Sequence, residues 1–216
     1  MRLSTDRPLL YVITDGRSRP ATFAADKMRI LSVIEMAVVC GVELVQIREK
    51  FLEAKQLFEV ATDAATIASG SSTRILLNER FDIALAAKAD GVHLPSNAMP
   101  ADTVRGRVPQ SFLVGVSTHS ESEIARASGA GADLATYGPV YPTPGKSSLV
   151  GVTGLSAACR KFPDFPIIAL GGINQMQVPE VLDAGAAGIA AIRMFSDPHT
   201  LCTVVSGIRS RRNMPE

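Results

Sequence analysis

The chain has no apolar run approaching the ~20 residues that a membrane-spanning helix needs. Its opening, Met1-Arg2-Leu3-Ser4-Thr5-Asp6-Arg7-Pro8, is charged and broken before the apolar core of a signal peptide could build. Neither sign of charge dominates. The 22 basic and 21 acidic side chains leave a net charge of +1, too little for a nucleic-acid binder that works by bulk electrostatics. Cysteine is scarce: Cys40, Cys159 and Cys202 are far apart and form no CxxC pair, which reads as reduced thiols in a cytoplasmic protein. Three dispersed histidines without a cysteine cluster exclude a zinc site of ordinary spacing.

What is present is a core. With 216 residues and 46% hydrophobic side chains, the chain is long enough to bury one, and its 17 Gly and 13 Pro show no period. Short apolar, β-branched runs at 9–14, 42–47, 74–78, 91–94, 113–117, 134–137, 166–170 and 188–192 read as strands buried on both faces. Between them lie helical patterns, such as Leu52, Leu57, Val60, Ala61, Ala64 and Ala68, or Val178, Val181 and Leu182 with Pro179 near a helix start. Eight strand–helix units predict an α/β fold, a single (β/α)8 TIM barrel. A rival open, doubly wound sheet would place a Gly-rich phosphate loop after strand one, but Thr14-Asp15-Gly16-Arg17 follows instead. Small residues recur before the even-numbered strands, at Cys40-Gly41-Val42, Ala89-Asp90-Gly91, Ala130-Gly131-Ala132 and Ala184-Gly185-Ala186, where glycine suits a helix C-cap. No linker divides the chain, so 1–216 is one domain. The barrel spans about 9–208, with a short lead and a basic tail at Arg209-Ser210-Arg211-Arg212.

In such barrels the reacting groups collect at the C-terminal ends of strands. Strand one ends in Asp15, and strand two delivers Gln46, Arg48 and Lys50 on alternate positions. Strand three ends in Asn78-Glu79-Arg80; strand four carries His93, which alternates into the barrel wall as a core histidine. Strand five ends in Ser117-Thr118-His119, strand seven in Gly171-Gly172 and strand eight in Arg193. After strand six the irregular stretch 139–150 presents Thr143, Gly145 and Lys146, and a loop of that length in a compact domain is usually functional. Arg48, Lys50, Lys146 and Arg193 together suit a phosphate or diphosphate. The plainer alternative pairs Arg48 and Lys50 with Glu43, Glu49 or Glu53. Gly171-Gly172 either exposes backbone N–H groups to a second phosphate or forms a tight strand-to-helix turn with Asn174 as the helix N-cap. His119 serves as an acid/base or as a loop-capping group.

These strand ends, in order, resemble the thiamine-phosphate synthase and TenI (thiazole tautomerase) superfamily. The matching segments are Tyr11-Val12-Ile13-Thr14-Asp15, Val45-Gln46-Ile47-Arg48-Glu49-Lys50, Leu77-Asn78-Glu79-Arg80, Asp90-Gly91-Val92-His93-Leu94, Gly115-Val116-Ser117-Thr118-His119, Gly138-Pro139-Val140-Tyr141-Pro142-Thr143-Pro144-Gly145-Lys146 and Ala169-Leu170-Gly171-Gly172-Ile173-Asn174. The resemblance implies a coupling of hydroxymethylpyrimidine diphosphate to thiazole phosphate with release of diphosphate. It places the pyrimidine at Gln46, and the diphosphate at Arg48, Lys50, Asn78, Ser117 and Lys146. The thiazole phosphate falls at Thr143 and the Gly171-Gly172 region. It also implies Mg²⁺ held by two carboxylates; this chain has Glu79 at one position and Ala98, which cannot ligate, at the other, so Glu79 with substrate phosphates and water is expected to hold a weakened Mg²⁺ site. His93-Leu94-Pro95-Ser96 looks more like TenI-type members, for which His119 would move the proton of a thiazole tautomerisation. A non-catalytic thiazole- or thiamine-phosphate-binding regulator is the third reading. The implied partners are small phosphorylated substrates, with no nucleic acid and no membrane; barrels of this size commonly pair, which leaves a homodimer open.

Overall fold

A computed structural model describes residues 7–146 and 148–211. Eight parallel strands close into a barrel in sequence order: β1 (Leu9–Ile13), β2 (Leu44–Ile47), β3 (Arg74–Asn78), β4 (Gly91–Leu94), β5 (Leu113–Thr118), β6 (Leu134–Tyr137), β7 (Ile167–Leu170) and β8 (Gly188–Ala191), with β8 pairing back onto β1. A helix follows each: α1 (Phe23–Val39), α2 (Ala54–Ala68), α3 (Phe81–Ala86), α4 (Ala101–Arg105), α5 (Glu121–Gly129), α6 (Gly151–Lys161), α7 (Val178–Asp183) and α8 (Pro198–Arg211). The expected barrel is therefore the observed one. No helix among the described residues is long and apolar enough to cross a membrane.

Strand alternation divides the core into two layers. Leu10, Val12, Val45, Ile75, Leu77 and Val114 face outward against the helices, while Leu9, Tyr11, Ile13, Leu44, Leu76, Leu113, Leu134 and Ile168 fill the interior. The inward positions become polar nearer the C-terminal ends of the strands: Leu44 is followed by Gln46, Leu113 by Ser117 and Leu134 by Thr136. The barrel is thus plugged with hydrocarbon below and floored with hydrogen-bonding groups above.

Strand two starts at Leu44 rather than at residue 42. The N–H of Val42 closes onto Ala37 O at 2.9 Å, and that of Gly41 onto Val38 O at 3.0 Å, so both residues belong to the helix end, with Gly41 left-handed at φ 69°. The same closure ends α3, where Ala89 N–H reaches Ala84 O at 2.9 Å. There the left-handed residue is Lys88 (φ 57°), and Gly91 is already the first residue of β4.

Two expectations change. Cys40, at the end of α1, and Cys202, in α8, are joined in a disulfide, leaving Cys159 as the free thiol. A separation of 162 residues gave no local sign of this. Ring closure sets α1 beside α8 and brings the two Cα atoms to 5.1 Å. The basic tail is also shorter than expected, because α8 extends through Arg211; Arg212 lies outside the described residues. Arg209 does not dangle: its guanidinium donates to Cys40 O, Gly41 O and Glu43 Oε1 at 3.1, 2.7 and 3.0 Å. The Glu43 carboxylate also meets Arg7 at 2.7 Å and accepts the Leu10 N–H at 3.0 Å, closing the underside of the barrel.

Candidate active site

At the C-terminal ends of the strands lies a cavity of about 1120 Å³. Its position follows from the fold, since all eight strands are parallel and the connections after them share one face. From β2 it receives Gln46, Arg48 and Lys50; from β3, Asn78; from β5, Ser117 and His119. The loop after β6 supplies Thr143 and Lys146, β7 supplies Gly171 and Gly172, and the turn after β8 supplies Arg193. Every substrate- and phosphate-binding candidate from the sequence is therefore part of one lining. Asp15, Glu79 and Ala98 are not: Asp15 pairs with Arg29 at 3.2 Å.

The plainer pairing of Arg48 and Lys50 does not occur. Glu43 is taken by Arg7 and Arg209. Buried Glu49 turns to the loop after β1, accepting the N–H groups of Gly16 and Ser18 at 3.4 and 3.2 Å. Glu53 caps α2 in a reciprocal box with Gln56. With its three neighbouring carboxylates engaged, the guanidinium of Arg48 and the ammonium of Lys50 make no ion pair with any described residue. The same holds for Lys146 and Arg193. No Asp or Glu among the described residues lines the cavity, so its four cations face an unneutralised space.

The loop after β6 is laid directly on the end of β7. Val140 N–H donates to Leu170 O at 2.9 Å and Tyr141 N–H to Gly171 O at 3.0 Å. This contact explains the glycine pair: a Cβ on Gly171 would lie 2.6 Å from Pro139 Cβ, and one on Gly172 2.7 Å from Pro142 O, and both residues have positive φ. Bulk is excluded on the loop side, while the half-buried opposite side lines the cavity. Thr143 Oγ1 would sit 3.3 Å from a Gly171 Cβ, so that hydroxyl and the glycines share one corner. Asn174 Oδ1 accepts the Met176 N–H at 2.9 Å and so closes the turn that follows, but it is not the cap of α7, whose N-cap is Gln177; the helix starts only at Val178.

His119 is exposed and tethered twice. Its backbone N–H donates to Glu123 Oε2 at 2.6 Å, and its Nδ1 lies 2.5 Å from Gly138 O. A carbonyl only accepts, so Nδ1 carries the proton and a neutral ring keeps Nε2 as its basic nitrogen. His93 is a core histidine, as expected, but it also floors the cavity. Tyr11, Ser117 and Thr136 lie within hydrogen-bond reach of its ring nitrogens, and Gln46 donates to Tyr11 behind them. Burial pushes its pKa down to about 3. The sequence reading did not single out Tyr11 or Thr136; only their inward parity on β1 and β6 could have marked them.

The residues present do not fit a protein-held magnesium ion. Glu79 is exposed at the end of β3 in a left-handed conformation (φ 66°), Ala98 offers no donor, and the nearby Asp82 is clamped by Arg80 at 2.6 Å. Among the described residues no group of three His, Cys, Asp or Glu side chains comes together. Mg²⁺ takes its protein ligands from one or two carboxylates, and none among the described residues lines the cavity.

A family model described as thiamine monophosphate synthase matches residues 10–195. A Geobacter sulfurreducens protein provisionally named thiamine-phosphate synthase is 43% identical over 193 residues, covering 88% of this chain and 87% of its own length. The thiamine-phosphate synthase of Chloroflexus aurantiacus is 39% identical over 187 residues, 85% of this chain and 82% of that one. Among solved structures, the thiamine phosphate pyrophosphorylase from Pyrococcus furiosus superposes with a TM-score of 0.76 at 27% identity, covering 94% of this chain and 98% of its own. Likeness of sequence over nearly the whole chain and likeness of fold agree with the ordered strand ends that line the cavity: the chain belongs to the thiamine monophosphate synthase family.

Proposed function

We propose that the protein couples hydroxymethylpyrimidine diphosphate to thiazole phosphate, forming thiamine phosphate and diphosphate. The observation that carries this reading is the convergence of four cations, and of no carboxylate among the described residues, on one cavity. Such a cavity receives anions at both its β2–β3 side and its β7–β8 side. Arg48, Lys50 and Lys146 neutralise the diphosphate, with Asn78 and Ser117 as hydrogen-bonding partners. Gln46 meets the pyrimidine. Thr143, the Gly171-Gly172 corner and Arg193 hold the thiazole phosphate.

In this reaction the C–O bond between the pyrimidine methylene and the diphosphate breaks, and diphosphate leaves with the electron pair. The thiazole nitrogen then donates its lone pair to the methylene carbon. Neither step removes a proton from carbon. Catalysis rests on neutralising the departing charge and aligning nitrogen with carbon, which fixed cations and a shaped cavity supply. The Mg²⁺ that the family resemblance implies would add charge neutralisation on the diphosphate, but the described residues bring no carboxylate pair to the cavity to hold it. Any divalent ion would be held by the substrate's phosphate oxygens.

His119 supports a second reading. With Nδ1 tied to Gly138 O, its Nε2 is the proton acceptor that a thiazole tautomerisation requires. One experiment separates the readings: both synthase substrates are supplied with and without Mg²⁺, and the thiazole carboxylate tautomer is supplied alone. Thiamine phosphate formation is expected. Conversion of the tautomer without coupling would select the second reading, and tight binding without either product would make the protein a ligand-binding regulator.

A further inference from the structure

The floor of the cavity holds a continuous row of polar groups, of which Tyr11, His93 and Thr136 have no role in the reading above. Tyr11 is fully buried, and Gln46 and His93 are each 2% exposed. Gln46 Nε2 donates to Tyr11 Oη at 3.1 Å; Tyr11 Oη lies 3.2 Å from His93 Nδ1; His93 Nε2 lies 3.0 Å from Ser117 Oγ and 3.4 Å from Thr136 Oγ1. The histidine has space because β5 carries Gly115 beside it, where a Cβ would stand 2.7 Å from Nδ1. Both ends of the row, Gln46 and Ser117, line the cavity.

Each link has little freedom. The neutral imidazole carries one N–H, and the tyrosine one O–H. If Gln46 donates to Tyr11, the tyrosine proton goes to Nδ1, and the ring proton sits on Nε2 and points to Ser117 Oγ. The serine proton is then left for the cavity, while Gln46 offers its amide oxygen there. In the opposite direction every donor becomes an acceptor, and Gln46 offers N–H groups while Ser117 offers only lone pairs. A mixed row would bury a donor facing a donor, or two acceptors facing each other, which is strongly disfavoured away from water.

We propose that Tyr11 and His93 are positioning residues that lock the two ends of the pocket to one another, so that an anion accepting from Ser117 obliges Gln46 to accept an N–H from the ring. The ligand class selected is an amino-substituted heteroaromatic ring joined to a phosphate or diphosphate. The inference deepens the coupling function and rests on it for the placement of ring and diphosphate.

Tyr11→Phe removes the hydroxyl that joins the halves, on a residue that does not line the cavity. Coupling is measured with the aminopyrimidine diphosphate and with an analogue bearing an oxo group in place of the amino group. The wild-type preference for the amino ring, as a ratio of kcat/KM, is expected to fall tenfold or more in Tyr11→Phe, with KM for thiazole phosphate unchanged. An unchanged ratio would overturn the inference while leaving the coupling function standing. If the wild type binds both pyrimidines without coupling them, the coupling function fails. The same ratio is then read from calorimetric dissociation constants. Nitrogen-15 NMR of His93 in the wild type needs no variant to fold: the Nε2–H tautomer is expected with inorganic diphosphate bound, and the Nδ1–H tautomer would overturn the inference.

Discussion

Removing Lys50 or Lys146 tests whether the unpaired cations act on a substrate or merely stand in solvent. Both side chains are exposed, both line the cavity, and neither makes an ion pair with a described residue. Lys50→Ala and Lys146→Ala therefore break no ion pair with a described residue, and stability should change by less than about 0.5 kcal/mol. With a diphosphate bound, each ammonium would make a charge-assisted hydrogen bond worth about 1.5–3 kcal/mol. Water at the mouth screens the charges and favours the lower end of that range. Each variant is then expected to lose at least tenfold in kcat/KM for the pyrimidine diphosphate, about 1.4 kcal/mol. The pair should lose less than the product of the singles if both act on one diphosphate. The assay is initial coupling rate against pyrimidine diphosphate concentration at two ionic strengths. Lys161→Ala serves as control: its ammonium pairs with Glu121 at 2.7 Å and lies outside the cavity. Wild-type rates in both cavity variants would refute the diphosphate assignment.

Three further expectations concern the metal, the disulfide and the buried histidine. Mg²⁺ titrated into the protein without substrate should give no calorimetric binding at micromolar concentrations, because no carboxylate among the described residues lines the cavity; a micromolar site would contradict this. Reducing Cys40–Cys202, or Cys40→Ser, should lower stability by about 2–4 kcal/mol, a fall in Tm of roughly 5–15 °C, given the 162-residue separation; an unchanged Tm under reductant would contradict it. His93 is held neutral in the fold, with its pKa near 3 against about 6.5 when unfolded, so the unfolded chain binds the extra proton between those values. Stability should therefore fall as pH drops through that window, by about 2 kcal/mol from pH 6.5 to 5 on His93's account; denaturant midpoints that stay flat over that range would contradict it.

All eight strands were legible because a buried parallel strand is a short apolar run bounded by turn residues, and the pattern recurs often enough to close a barrel. The errors lie where tertiary contacts decide. Val42 is apolar and β-branched like a strand residue, yet its N–H closes the end of α1. Gly91 opens β4 as expected, but the reason for a glycine there is strand packing rather than a helix end: a Cβ would fall 2.4 Å from Leu113 O. The cationic half of the site was legible because strand-end positions can be counted. Its floor was not: Tyr11 has the composition of any buried strand residue, and only closure of β1 onto β2, with His93 across the interior, makes it a link. Nor did the sequence say what Glu49 and Glu43 would do, since each takes partners more than thirty residues away.

A crystal structure of the protein with both inorganic diphosphate and phosphate addresses the two-anion pocket most directly. Diphosphate is expected between Arg48, Lys50, Asn78 and Lys146, with a separate phosphate against the Gly171-Gly172 backbone and Arg193. Both anions on the outer surface, or a single anion bound away from these side chains, would contradict it.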